Sequence, residues 1–202
     1  RCQCGFAGFA RRVPRYPNNP SRLIISTIAG GQGCCFGGDG LPATQARLNQ
    51  PTQVAVDTSG NLYIADSANY RVRRVSSGGT ITTYAGTGTA GFSGDGGNAA
   101  SAQINYARGV SVDAAGNLFV ADSSNNRIRR IDAASQQITT VAGTASSGYN
   151  GDGITATTAR LSSPYSARVS PGGELVVADL GNYRVRRISA GNIISTFAGN
   201  GW

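Results

Sequence analysis

Val-Ala-Val-Asp-Thr-Ser-Gly-Asn-Leu-Tyr-Ile-Ala-Asp-Ser-Ala-Asn-Tyr-Arg-Val-Arg-Arg-Val, from Val54 to Val75, alternates apolar and polar residues in short runs separated by turn formers. A period of two puts successive side chains on opposite faces of an extended chain, so the stretch reads as strands and not as a helix. Gln53–Val56 is the first run, closed by the turn Asp57-Thr58-Ser59-Gly60-Asn61. Leu62–Ala65 is the second, and the polar corner Asp66–Tyr70 leads into the third, Arg71–Val75. After Ser76–Gly79 a fourth run follows at Ile81–Ala85. Gly, Asn, Asp and Ser fill the turns because they tolerate positive φ or bond their own backbone.

The unit recurs. Ile64-Ala65-Asp66 returns as Val120-Ala121-Asp122 and Val177-Ala178-Asp179, and Gly-Asp-Gly is centred on Asp39, Asp95 and Asp152. An apolar-Ala-Gly step recurs at Ala29, Ala85, Ala142 and Ala198. The spacing is 56 and then 57 residues for the Asp markers, which is the signature of a repeat architecture. Four-stranded antiparallel units at this period predict an all-β fold, a β-propeller of four-stranded blades. The blades are expected over 51–86, 107–143 and 164–199, with a lone outer strand at 23–30 equivalent to Ile81–Ala85. Residues 1–22 form a Cys-, Pro- and Arg-rich arm, and 23–202 the propeller segment. Long Gly/Ala-rich connections such as Gly86–Asn105 are expected to form a rim holding one short helical turn each. Three blades fall short of the roughly 4–8 that close a ring, and a lone strand leaves an edge open to pairing. The absent strands are therefore expected from a longer parent chain or, second, from a neighbouring copy.

Composition narrows the chemistry. The 202 residues contain no His and no Met; all 18 basic residues are Arg, and Glu174 is the only Glu among 10 acidic residues. Ser-His-Asp and Cys-His nucleophiles, His-bound zinc, Schiff-base lysine and the P-loop lysine are excluded within this chain. Carboxylate pairs and carboxylate-bound metals stay open. No catalytic residue and no cofactor is assigned, and the expectation is that the chain is not an enzyme. No run reaches the ~20 apolar residues of a membrane-spanning helix. The net charge of +8 points to an anionic partner, but nine of the 18 arginines lie in the Arg-x-Arg-Arg segments beginning at Arg71, Arg127 and Arg184.

Val54–Val75, with Val110–Ile131 and Val169–Ile188, resembles the NHL repeat. The extended form Ala85–Gly96, Ala-Gly-Thr-Gly-Thr-Ala-Gly-Phe-Ser-Gly-Asp-Gly, is similar to bacterial NHL arrays and to the propellers of teneurin-like surface proteins. The resemblance covers about Leu23–Trp202. The third unit departs from it where Pro171-Gly172-Gly173-Glu174 replaces the Asp-x-x-Gly-Asn turn. What the resemblance implies is a non-catalytic extracellular module for adhesion, scaffolding or assembly of a surface or matrix structure. Its partner would be a protein or an acidic glycan. A basic propeller face binding RNA or another polyanion is the alternative. A metal-dependent propeller enzyme whose site residues lie outside this segment comes third, because the lyase type of NHL-related propeller uses His ligands and none exist here.

Four groups of residues are candidates for a site. Asp66, Asn69 and Arg71, with Asp122, Asn125, Arg127 and Asp179, Asn182, Arg184, form a recurring corner. Asp and Asn can cap backbone donors there while Arg pairs with the carboxylate. Arg73, Arg74, Arg129, Arg130, Arg186 and Arg187 form a belt for a polyanion, in which the Arg71 and Arg73 types share one strand face and the Arg74 type the other. RNA readers usually add stacking aromatics; Tyr70 and Tyr183 sit beside the belt, but the middle unit has Asn126, so nucleic acid is the less favoured partner. Asp39, Asp95 and Asp152 are weak calcium candidates, set against a simple turn because one carboxylate per loop falls short of the ~6–8 oxygens calcium takes. Cys2, Cys4, Cys34 and Cys35 cluster at one end, which predicts two disulfides and an oxidising compartment. Adjacent cysteines rarely bond each other, so Cys2 and Cys4 are the expected partners of Cys34 and Cys35. A four-thiolate zinc site lacks its usual spacers.

Overall fold

The computed structural model describes residues 25–31, 33, 35–170 and 172–201. Blade 1 is the antiparallel sheet β1 (Pro51–Val56), β2 (Leu62–Asp66), β3 (Arg71–Val75) and β4 (Ile81–Ala85), hydrogen-bonded in that order. Blade 2 repeats it as β5 (Ala107–Val112), β6 (Leu118–Asp122), β7 (Arg127–Ile131) and β8 (Ile138–Ala142). Blade 3 is β10 (Ser166–Val169), β11 (Leu175–Asp179), β12 (Arg184–Ile188) and β13 (Ile193–Ala198), with the short strand β9 (Ile154–Thr155) on its outer edge. The all-β architecture of four-stranded antiparallel blades is thus the one the repeat predicts.

Register explains the faces. Val54, Ile64, Arg73 and Thr83 stand in one row across blade 1, and Val110, Val120, Arg129 and Thr140 in the same row of blade 2. A bulge on the outer strand, between the partners of Val72 and Arg73, recurs opposite Ile128/Arg129 and Val185/Arg186. Such bulges raise the local twist, which lets each blade lie against the next. One face of blade 1 (Tyr63, Ala65, Val72, Ala85) packs on the opposite face of blade 2 (Val110, Leu118, Val120, Ile131, Ile138). The far face of blade 2 (Phe119, Ala121, Ile128, Ala142) meets blade 3 (Ala167, Leu175, Val177, Ile188, Ile194) in the same way. Each fully buried Ile, Leu or Val contributes about 1.5–3 kcal/mol relative to an exposed one. The core is therefore a series of blade-to-blade seams.

The inner strands are stitched by side chains that satisfy their free edges. Thr52 Oγ1 donates to the Arg108 carbonyl at 2.7 Å, Val110 N–H donates to Gln53 Oε1 at 2.9 Å, and Ser111 Oγ donates to the Ala167 carbonyl at 2.6 Å. The long connections are ordered too. Each carries a 3-10 turn, at Ala43–Gln45, Ala99–Ser101 and Ala156–Thr158. Ala99, Ala102 and Ile104 plug the first seam, and Ala156, Ala159 and Leu161 the second. The connection also pairs with the outer strand side of the following blade, through Pro42 with Thr80, Asn98 with Gln137, and Thr155 with Ile193. Outer edges that would invite aggregation are covered by this contact.

One local expectation changes. The outer strand predicted at 23–30 is not formed over 25–30, while Leu23 and Ile24 lie outside the described residues. A strand needs a ladder partner, and none lies beside this segment among the described residues. Ile25 is 99% exposed, whereas Ile81, Ile138 and Ile194 at the same repeat position are 0% exposed. The odd turn of the third unit still closes: Ser170 Oγ accepts from Glu174 N–H at 3.2 Å. It lacks the four-fold use of Asp57, which accepts from the Ser59 and Asn61 N–H groups, Asn61 Nδ2 and the Tyr63 hydroxyl. The arm 1–22 and Cys2, Cys4 and Cys34 lie outside the described residues. Among the described residues there is no free cysteine.

Candidate functional site

At the corner of each blade the second strand ends on a buried aspartate, a 3-10 turn follows, and Tyr70, Asn126 or Tyr183 adopts the left-handed conformation that starts the third strand. Asp66 accepts from Asn49 N–H at 2.7 Å and from Asn69 Nδ2 at 2.8 Å. Asp122 does the same with Asn105 and Asn125, and Asp179 with Ser162 and Asn182. The aspartate thereby ties the corner to the end of the preceding long connection.

The arginine that neutralises it is Arg73, not Arg71. Arg73 Nη1 lies 3.5 Å from Asp66 Oδ2, and both side chains are fully buried. Arg71 starts the strand at the rim and donates instead to the Asn69 carbonyl at 3.3 Å and the Thr87 carbonyl at 2.6 Å. The second nitrogen of Arg73 reaches Asp39 Oδ1 at 2.6 Å, and Asp39 Oδ2 accepts from the Thr83 hydroxyl at 2.7 Å. The arrangement recurs. Arg129 bridges Asp122 at 3.3 Å and Asp95 at 2.6 Å, and Arg186 bridges Asp179 at 3.6 Å and Asp152 at 3.0 Å. Thr140 and Thr196 donate to Asp95 and Asp152 as Thr83 does to Asp39.

An aromatic ring completes each bridge. Phe36 lies under Arg71 at 3.8 Å and Arg73 at 4.8 Å; Phe92 lies under Arg127 at 3.7 Å and Arg129 at 4.8 Å. Tyr149 takes the same place under Arg184 at 4.0 Å and Arg186 at 4.9 Å. Cation–π stacking holds two guanidinium groups on one ring. The first glycine of Gly-Asp-Gly is needed for the approach in blades 1 and 2. Gly38 and Gly94 have φ of +89° and +82°, and a Cβ there would come within 2.7 Å of the Ala46 or Ala102 Cα.

Two sequence expectations, the arginine belt and the pairing of the Arg71 type with the corner carboxylate, are corrected by this geometry. Arg73, Arg129 and Arg186 are fully buried, so they belong to no surface belt; Arg74 and Arg130 are half-buried, Arg187 is exposed, and all three remain on the other side of their strands. Arg130 pairs with Asp132 at 3.0 Å and Arg187 with Glu174 at 3.8 Å. Asp39, Asp95 and Asp152 face a guanidinium that already supplies the cation a metal would bring, and no three His, Cys, Asp or Glu converge among the described residues. Arg71, Arg127 and Arg184 serve carbonyls, not the corner carboxylate.

Electrostatics follows burial. Desolvation pushes the carboxyls of Asp66, Asp122 and Asp179 above their ordinary value, against the pull of their hydrogen bonds and of the arginine. Burial also acts on Asp152, but hydrogen bonds from Thr196 and Tyr149 and the charge of Arg186 outweigh it and hold that carboxyl low. The bridge is a clamp between corner, strand and rim loop, fully buried at the arginine and the corner carboxylate and partly exposed at the rim carboxylate. Between blades 2 and 3 lies one open cleft of about 330 Å³ whose wall includes Phe119, Val141, Val169 and Leu175.

Residues 26–93 match the family model of the Teneurin NHL domain, and residues 105–131 match the NHL repeat. Teneurin-1 of Homo sapiens is 32% identical over 195 residues, a match covering 82% of this chain and 7% of Teneurin-1. The chain thus spans a small part of the curated relatives it matches. Among solved structures, an auxiliary nutrient binding protein from Bacteroides ovatus superposes with a TM-score of 0.56 at 16% identity, over 78% of this chain and 39% of that one. A gluconolactonase from Xanthomonas campestris superposes with a TM-score of 0.52 at 19% identity, over 74% of this chain and 47% of that one. These likenesses concern the fold. The second one corrects the expectation that the chain is not an enzyme: the same fold carries catalysis in that protein, and lacking His and Lys excludes only chemistry that depends on them. In its repeats, its blades and its sequence relatives, the chain belongs to the NHL-repeat β-propeller family.

Proposed function

We propose that the chain is an extracellular propeller module for adhesion or scaffolding, whose partner is a protein or an acidic glycan. The observation that carries this reading is the similarity to Teneurin-1 across most of the chain. The internal use of the recurring polar residues supports it: Asp39, Asp66 and Arg73 and their repeats hold the blades together and leave recognition to the variable rim and face residues. Cysteines confined to the first 35 residues fit an oxidising compartment. Binding of the fluorescently labelled chain to the surface of intact cells tests the proposal. Saturable binding that is lost after protease or glycosidase treatment of the cells is expected. Binding absent from untreated cells, or removed by ribonuclease alone, overturns it.

A further inference from the structure

The two seams between blades are built from matching positions and differ in what fills them. In the first, Tyr63, Leu118 and Ile131 belong to the buried cluster, and Val112 and Tyr84 pack against it. In the second, Phe119, Leu175 and Ile188 take those places, with Val169 and Val141 packed against them. Tyr84 meets Tyr63 edge-on, with ring centroids 4.9 Å apart, and its hydroxyl accepts from Gln136 Nε2 at 3.0 Å. The Tyr63 hydroxyl donates to Asp57 Oδ2 at 3.2 Å. Asn192 is the counterpart of Gln136: both are left-handed, and their carbonyls accept from Ala156 and Ala99 N–H. The second seam thus has Val141 for Tyr84, Phe119 for Tyr63, Asn192 for Gln136 and Asp113 for Asp57.

These shorter side chains coincide with the open cleft of about 330 Å³ between blades 2 and 3, whose wall includes all four of them. That size falls within the roughly 300–1,000 Å³ of small-ligand clefts. The parts that hold Tyr84 in the first seam are retained around the vacated space. Phe119 keeps an aromatic ring for edge-on stacking, and the Asn192 amide keeps a donor. Asp113 Oδ2 accepts from Asn117 Nδ2 at 2.8 Å but, with Phe119 in place of a tyrosine, lacks the hydroxyl donor that Asp57 receives. Asp113 is also the one charged residue of the wall. A phenol carrying a free carboxylate is therefore repelled, whereas one held between neutral amides in a peptide is not.

We infer that this cleft takes a tyrosine side chain of a protein partner, in the place that Tyr84 fills in the first seam; the assignment depends on the protein partner proposed above. The ring of the incoming tyrosine packs on Phe119 and the aliphatic wall, and its hydroxyl accepts from the Asn192 amide. The partner backbone stays outside the open mouth. One aromatic anchor seated in a pocket is how such interfaces concentrate their binding energy.

Titrating the 15N-labelled full chain with N-acetyl-tyrosinamide and, separately, N-acetyl-phenylalaninamide tests this by NMR. Saturable shifts at the Phe119, Val141 and Leu175 amides are expected, with a millimolar Kd for the tyrosine compound. The phenylalanine compound should bind about three- to tenfold more weakly, for want of one hydrogen bond. Val141→Tyr supplies the ring from the chain itself and should abolish binding; Tyr84 at the same repeat position shows that the seam accepts it. Asn192→Gly suits the left-handed backbone there and should bring the two compounds level. No saturable shift, equal affinity for the two compounds in the parent chain, or binding that Val141→Tyr leaves unchanged overturns the inference. These titrations read the cleft without any partner, so their failure leaves the adhesive reading to the cell-binding assay.

Discussion

Replacing Arg129 by Met keeps the length of the side chain and removes the charge from the middle blade. Asp122, fully buried, then keeps only Asn105 N–H and Asn125 Nδ2, while the partly exposed Asp95 can turn to water. Losing one partner of a buried ion pair typically costs about 3–5 kcal/mol, because the other charge is left uncompensated. For a chain of this length each kcal/mol lowers Tm by about 2–4 °C, so Arg129→Met should melt roughly 6–20 °C below the parent. Much of that penalty belongs to the stranded carboxylate and not to the lost attraction. The double variant Arg129→Met, Asp122→Asn should therefore recover at least half of it. The pH dependence carries a definite sign. In the single variant the Asp122 carboxyl rises further, so stability is fully present below the ordinary carboxylate pKa and is lost as pH rises through the raised one. The Tm deficit should accordingly shrink on acidification. Thermal melts followed by circular dichroism at pH 4, 6 and 8 measure it. A loss under about 1 kcal/mol, flat with pH and not relieved by Asp122→Asn, would refute the clamp.

The aromatic floor of the clamp predicts that Phe92→Ala costs about 1–3 kcal/mol in denaturant melts, from two lost guanidinium stackings, whereas Phe92→Tyr is close to neutral because Tyr149 already fills that role in blade 3. Gly109→Ala should destabilise by about 1–3 kcal/mol, since its Cβ meets the Tyr165 carbonyl at 2.5 Å and Ser166 Cα at 2.8 Å where the inner strands converge; Gly78→Ala, with only Ser76 Oγ at 3.7 Å, is the neutral control. Asp132 is held down to about 2, first by the Ser135 N–H and hydroxyl. A depressed carboxyl stabilises above its unfolded pKa and the benefit is lost as pH falls through the folded one, so Asp132→Asn should lower Tm at pH 6 and match the parent near pH 2.

The strands, their order and the repeat were legible because each rests on local spacing: period two, turn residues, and a marker returning every 56 or 57 residues. The face shared by Arg71 and Arg73 follows from the same alternation. Which arginine meets the corner carboxylate did not follow. That choice depends on Asp39, which lies 34 residues before Arg73 and arrives only when the rim loop folds over the blade. A signal for it was present in the chain, since an aromatic residue stands three positions before each Gly-Asp-Gly aspartate, as Phe36, Phe92 and Tyr149. The segment 25–30 shows the limit of local pattern from the other side. Its residues match β13 almost letter for letter, yet it forms no strand, because a ladder needs a neighbour as well as a propensity.

Hydrogen exchange of the arginine side chains, read by 15N NMR on the intact chain, tests the clamp most directly. The Nε–H groups of Arg73, Arg74, Arg129 and Arg186 are buried without solvent contact, so four slowly exchanging arginine signals are predicted, three of them from the clamp, and the Arg129 signal is absent in Arg129→Met. Eighteen arginines that all exchange at the rate of free side chains would contradict the account.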